Sequence, residues 1–219
     1  MAHALRAACL VRGRQELVIP TVLGGADVVL AAETGSGKTL AYIAPIASAL
    51  LTTLAAAPPP GAAAARAGGD SANSSSSSSS RQPAPRWMAL VLCPNTALCQ
   101  QVVRLASSLP RPGGGALLRA CHINSRSPPP FEAPDVVVAT PGALVTLFND
   151  RGVSYGAAWT AEGVASRTAV LVVDEADLLL QGGYEKDVIR LLDVSALALR
   201  ACVCVCVCVG ATAGAVRVR

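Results

Sequence analysis

The sequence predicts an α/β fold, a parallel sheet covered by helices on both faces. Three observations predict it. Short runs that are apolar throughout recur along the chain, and such runs read as strands buried on both faces. Most of them are followed by a stretch of helical length, which is the crossover a parallel sheet needs. The motifs built from Gly, Lys, Thr, Asp and Glu follow directly on these runs, at the carboxyl ends of strands, where open α/β sheets bind ligands.

The first predicted strand is 27–31 (D-V-V-L-A), and 40–51 is the helix behind it. Residues 58–86 hold P-P-P, an Ala run, seven consecutive Ser (74–80) and Q-P-A-P. Such a segment cannot bury enough apolar surface to offset the entropy of ordering it, and it reads as a disordered surface insert. Segments 110–115 and 125–134 read as shorter loops of the same kind. A strand at 88–93 precedes a helix at 96–109, a further strand is expected at 116–121, and a strand at 135–139 precedes a helix at 142–149. A strand at 168–173, helical material over 184–199 and a last strand at 201–209 complete the alternation.

Between the first strand and its helix stands A-E-T-G-S-G-K-T, Ala32 to Thr39. Strand, Gly-containing loop and helix form the setting of a phosphate-binding loop. Gly35 and Gly37 let the backbone turn its N–H groups inward, with Ala32, Thr34 and Ser36 completing the loop, and the helix N-terminus adds partial positive charge. Lys38 would reach the β- and γ-phosphates, and the Thr39 hydroxyl would coordinate Mg²⁺. The chain carries 18 basic residues, and only Lys38 and Lys186 are Lys. A sequence that uses Arg almost everywhere keeps a compact ammonium in this loop, where a planar fork does not substitute. A chance G-S-G-K-T in a Gly- and Ala-rich chain is the bland alternative, and the flanking strand and helix argue against it.

After the strand 168–173 comes D-E-A-D, Asp174 to Asp177. A carboxylate at a strand end beside a phosphate loop can hold Mg²⁺ through water, and an adjacent one can orient and deprotonate an attacking water. Asp174 and Glu175 fit those roles. A solvated acidic turn is the alternative for D-E alone, but not beside a phosphate loop.

Composition narrows the class. The 219 residues suffice for one domain with inserts. They are 52% hydrophobic and 3% aromatic, with mean hydropathy +0.48, so the core is expected to be aliphatic. No apolar run reaches the roughly 18 residues of a membrane span. Residues 40–57 come closest, broken by Tyr42, Pro45, Ser48, Thr52 and Thr53. A net charge of +4 permits nucleic-acid binding without arguing for it. Residues 1–14 are basic and free of acids, yet too short and Ser-poor for a transit peptide. Of eight cysteines, Cys9, Cys93, Cys99 and Cys121 are expected as reduced core residues. Cys202, Cys204, Cys206 and Cys208 alternate with Val and would face one side of a strand, a spacing unsuited to zinc. A dinucleotide repeat in the coding DNA explains them without a redox role.

Taken together, A-E-T-G-S-G-K-T and D-E-A-D resemble the first RecA-like lobe of a DEAD-box ATP-dependent RNA helicase, over about 12–212 apart from the inserts. The segment Leu92 to Val103 (L-C-P-N…L-C-Q-Q-V-V) is most similar to plant and algal organelle members. The resemblance implies a three-layer RecA-like P-loop domain, first lobe only, built from 1–57 and 87–219 around the insert. It also implies ATP and Mg²⁺ as cofactors and RNA as partner, gripped through its backbone and without sequence preference.

Residue by residue, it implies that Gln15, followed by Ile19 and Pro20, reads the adenine edge, where an amide can both donate and accept. The family's P-T before that Gln is absent, with Arg12 and Gly13 in its place. The first Gly of the phosphate loop is Ala32, a departure that many helicases tolerate. Pro94, Asn95, Thr96, Ala97 and Leu98 stand where the family has P-T-R-E-L, so its Arg and Glu are missing. Thr140, Pro141 and Gly142 match T-P-G on the RNA side, followed by Ala143 in place of Arg. The paired glycines expected near Ile123, Asn124 and Ser125 are absent. Asp177, with Gly210, Ala211 and Thr212 in place of S-A-T, would couple hydrolysis to strand separation. The second lobe, which in the family supplies arginine fingers and half the RNA clamp, has no counterpart in these residues, so a fragment or truncated product is expected. The resemblance to organelle members suggests a chloroplast or other organelle, with cytoplasm or nucleus as the alternative.

Overall fold

The computed structural model describes residues 15–31, 36–56, 88–111, 113–124, 127, 129–132, 134–150, 155–181, 183–195, 201–206 and 215–218. They form one seven-stranded sheet in the order β3-β4-β2-β5-β6-β1-β7. The strands are β1 (Asp27–Ala31), β2 (Met88–Leu92), β3 (Ala120–Ile123), β4 (Val136–Ala139), β5 (Thr168–Val173), β6 (Ala201–Cys206) and β7 (Ala215–Val218). β1 through β6 pair in parallel, as the uninterrupted apolar runs require. β7 lies antiparallel on the outer edge of β1, a strand the apolar pattern did not announce.

Among the described residues, seven α-helices accompany them: α1 (Gln15–Leu23), α2 (Lys38–Ala56), α3 (Thr96–Ser108), α4 (Pro141–Asn149), α5 (Ala161–Arg167), α6 (Ala176–Gln181) and α7 (Glu185–Ser195). Alternate strand residues sort them into layers. Ala89, Val91 and Cys93 point to a core shared with Val18 and Val22 of α1, Ile43 and Ile46 of α2, and Val102 of α3. Leu90 and Leu92 point the other way, to Leu144 of α4, Val164 of α5, Leu179 of α6 and Leu191 of α7. The period of two along β2 therefore builds the three-layer architecture. Among the described residues, no helix is long and apolar enough to cross a membrane.

Several local expectations are corrected. The third strand begins at Ala120, not 116. Ala116 instead bridges back to Pro110, and the Leu117 N–H donates to the Leu109 carbonyl at 2.8 Å, so Leu117 and Leu118 enter the core from a loop. Within 110–115, the Arg111 N–H donates to the Gly115 carbonyl and the Gly114 N–H to the Arg111 carbonyl, with Gly113, Gly114 and Gly115 all at positive φ. The later loop is tied down as well: the Pro130 carbonyl accepts from Trp159 Nε1 at 3.1 Å, and Glu132 pairs with Arg119 at 2.7 Å. Helices α1, α5 and α6 were not expected. The helical material predicted over 184–199 is described as α7, ending at Ser195, and 207–209 and the insert 58–86 lie outside the described residues.

Leu171 tests the layered core. It is fully buried in β5, the strand that delivers D-E-A-D. Leu171→Ala should lower unfolding free energy by about 2–5 kcal/mol, read from the denaturant midpoint.

Candidate nucleotide and metal site

The parallel register brings the motif-bearing ends to one edge of the sheet. β5 and β1 flank β6 on either side, so their carboxyl ends stand two strand spacings apart, roughly 10 Å. α2 starts at Lys38, directly after Ser36 and Gly37, and presents its positive end there. Gly37 has φ 82°, a conformation that side chains resist, which explains Gly at this turn. The Ala41 N–H donates to the Gly37 carbonyl at 3.2 Å, closing the first helical turn. Ala32, Thr34 and Gly35 lie outside the described residues, as do Ala211 and Thr212. Gln15 is the first residue of α1, and its side chain lies outside the described set.

At the end of β5, Asp174 is 5% exposed and tightly held. Its N–H donates to the Leu92 carbonyl at 2.8 Å. Its Oδ1 accepts from the Glu175 N–H at 3.1 Å, and its Oδ2 accepts from the Tyr42 hydroxyl at 2.7 Å. Glu175 has φ 54°, an unusual value for a residue with a side chain. That turn swings the chain from β5 into α6 and returns the Glu175 N–H onto Asp174; such strain concentrates at functional sites. Asp177 lies half-buried in the first turn of α6.

The electrostatics join the two motifs. Burial pushes the Asp174 carboxyl above its ordinary range, opposed by the Tyr42 donation, the Glu175 N–H and the charge of Lys38. Glu175 is likewise raised, first by burial, then by repulsion from Asp174, with Lys38 again opposing. Two neighbouring carboxylates that hold protons too tightly form a site that gains from a cation. The donors also suit Mg²⁺. Thr39 and Asp174 offer oxygen, which this hard cation prefers, and it takes one or two protein ligands together with phosphates and water.

These shifts set a pH dependence. A carboxyl raised in the folded state favours folding when protonated, so this contribution is present at low pH and lost as pH rises through the folded value. The ligand-free chain should therefore lose part of its thermal stability as pH climbs above the ordinary carboxylate range. Glu175→Gln should flatten that fall, as read by calorimetric melts across pH.

The remaining motifs continue the same edge. β2 lies between β4 and β5, and the Cys93 N–H donates to the Ala139 carbonyl at 3.0 Å. Pro94 and Thr140 thus leave adjacent strand ends. Asn95 caps α3, its Oδ1 accepting from the Leu98 N–H at 2.9 Å. Thr140 caps α4, its hydroxyl oxygen accepting from the Ala143 N–H at 3.3 Å, and the hydroxyl proton is not used by that bond. Pro141 is buried at the first helical position and Gly142 is half-buried. Cys93 and Cys99 are buried thiols; Cys93 is raised by its hydrogen bond with Cys99 and by burial. Burial alone pushes Cys121, which is half-buried, up to about 12. Cys93 and Cys121 therefore stay protonated at neutral pH.

Two residues escaped the motif reading. Tyr42 registered only as a polar break in an apolar helix, though a buried phenol needs a partner and so signals one. Asp135, 2% exposed, stands just before β4, and its Oδ2 accepts from the Arg119 N–H at 2.9 Å. Its signal was a lone acid before V-V-V-A.

A parallel three-layer α/β domain with a Gly-Lys-Thr helix start and an acidic strand end on one edge is the architecture of nucleotide-binding P-loop proteins. This chain belongs to the DEAD/DEAH box helicase family, whose model matches residues 12–217. It is 38% identical over 194 residues to a rice protein described as DEAD-box ATP-dependent RNA helicase 22, covering 88% of this chain and 30% of that one. It is 30% identical over 179 residues to a maize chloroplastic DEAD-box ATP-dependent RNA helicase 3A, covering 81% of this chain and 20% of the relative. A solved structure of a hypothetical ATP-dependent RNA helicase from Sulfolobus tokodaii superimposes with TM-score 0.59 at 21% identity, over 94% of this chain and 49% of that one. The likeness in structure carries the RecA-like fold. The chain spans about 20–30% of the length of these two curated relatives.

Proposed function

We propose that this chain is the nucleotide-binding lobe of an ATP-dependent RNA helicase, formed by 1–57 and 87–219 around a low-complexity insert at 58–86. The observation that carries this reading is the electrostatic and hydrogen-bonded meeting of the phosphate-loop helix with D-E-A-D. Lys38 acts on both Asp174 and Glu175, and Tyr42 of the same helix bonds Asp174.

In this reading Lys38, the N-terminus of α2 and the loop from Ala32 through Thr34, Gly35, Ser36 and Gly37 hold the phosphates. Gln15 holds the adenine. Thr39 and Asp174 hold Mg²⁺, which when bound neutralises charge on the phosphates. Glu175 orients the attacking water and takes its proton. Pro94 and Thr140–Gly142 line the neighbouring strand ends and hold RNA backbone, the Thr140 hydroxyl keeping a proton to donate. Asp177, Ala211 and Thr212 link the nucleotide state to that RNA contact. The relatives' names include a chloroplastic protein, which supports an organelle as one compartment for this chain.

The alternative is a lobe that binds nucleotide or RNA without turnover. It is favoured by the residues that replace the family's Arg and Glu in P-T-R-E-L and its Arg after T-P-G, namely Thr96, Ala97 and Ala143. Phosphate release from ATP, with and without RNA, separates the two. A catalytic lobe gives RNA-stimulated release, and a binding module gives nucleotide affinity with none.

A further inference from the structure

We propose that Tyr42 is a positioning residue of the Mg²⁺–nucleotide site, its hydroxyl bonded to Asp174 so that it fixes the Asp174 carboxylate before ligand arrives. The inference rests on the nucleotide reading above and adds a residue to it.

Tyr42 is fully buried in the first turns of α2. Its neighbours on the buried side of that helix are Ala41, Ile43, Ile46, Ala47 and Leu50, all aliphatic. A Phe would fill the same space and bury no polar atom. A buried phenol costs stability unless its hydroxyl finds a partner. Here the partner is a carboxylate 2.7 Å away, on a residue 132 positions later in the chain. Thr39 stands three residues before Tyr42, on the same helical face. The hydroxyl therefore ties α2 to the carboxylate assigned to the cation.

The geometry around Asp174 gives the contact its consequence. Oδ2 takes the Tyr42 proton and Oδ1 takes the Glu175 N–H, so both ends of the carboxylate are fixed. Each oxygen retains a lone pair for a further donor or for a metal-bound water. Outer partners of this kind orient the groups that hold a metal, and their loss costs about 10–100-fold in metal affinity. Without the hydroxyl, Asp174 keeps only its local bond to Glu175 and its plane can rotate.

The test is calorimetric binding of ADP to the full 219-residue chain, in Mg²⁺ and in EDTA, for wild type, Tyr42→Phe, Asp174→Asn and the double variant. The expected result is that Tyr42→Phe keeps a cooperative melt and its Mg²⁺-free ADP affinity. It loses about 10–100-fold of the affinity that Mg²⁺ adds. In the Asp174→Asn background, Tyr42→Phe should have no further effect, because the hydroxyl acts through Asp174. An unchanged Mg²⁺ contribution in a folded Tyr42→Phe overturns the inference while leaving nucleotide binding intact. So does an equal loss with and without Mg²⁺, which marks a packing role. A wild-type chain that binds no ADP under either condition overturns the nucleotide reading and this inference together.

Discussion

Lys38→Ala is expected to remove nearly all measurable ATP affinity, a loss on the order of 100-fold or more. Lys38 opens α2 at the edge where Asp174 and Glu175 stand, and it is the basic residue whose charge acts on both. Charge-assisted hydrogen bonds contribute about 1.5–3 kcal/mol each, and a lysine that reaches two phosphates makes more than one. The ammonium also offsets the two carboxylates. Without it, the phosphates would meet their negative charge uncompensated. Lys38→Arg should recover little of the affinity, because a planar fork does not replace a compact ammonium in a tight loop. Calorimetric titration with ATP and Mg²⁺ measures this, with a melt of each variant to show that the fold is kept. Affinity equal to wild type in Lys38→Ala would remove the phosphate loop from the account.

Glu175→Gln should act on a different quantity. Glu175 is half-buried, sits next to Asp174, and has its backbone in a left-handed turn. That placement suits a base that orients water, and removing a general base costs about 10²- to 10⁴-fold in rate. RNA-stimulated phosphate release should fall by that amount. ATP affinity should stay within a few-fold of wild type or rise, since Gln removes the charge that repels both Asp174 and the phosphates. A variant that binds normally and turns over at the wild-type rate would exclude Glu175 as the base. Should wild type itself release no phosphate with RNA, the non-catalytic reading gains.

The sheet and the site were legible in the sequence to different depths. β1, β2, β4 and β5 could be read because they are almost wholly apolar, broken only by Asp27 and Thr168 at their starts, and each is followed by a motif. Their register could not be read, since pairing partners leave no local trace. The third strand was misplaced because Leu117 and Leu118 are as apolar as strand residues, while a bridge from Ala116 to Pro110 holds them in a loop. α1 was hidden by Pro20 inside it and by its short length. α6 went unread because D-E-A-D was read as a site motif and not as a helix start; a turn at Gly183, φ 85°, separates it from α7, which was expected from 184. Within the site, motifs named Lys38, Thr39, Asp174 and Glu175. The link between them runs through Tyr42, and that link exists only once α2 lies over the sheet beside β5.

The central claim is that Lys38 and Thr39 at one strand end and Asp174 at another hold a single Mg²⁺–nucleotide. A crystal structure of the chain soaked with a non-hydrolysable ATP analogue and Mg²⁺ tests it most directly. The account predicts phosphate density against Gly37 and Lys38, with one cation between the Thr39 hydroxyl and the Asp174 carboxylate. Nucleotide bound elsewhere, or a cation that touches neither oxygen, would contradict it.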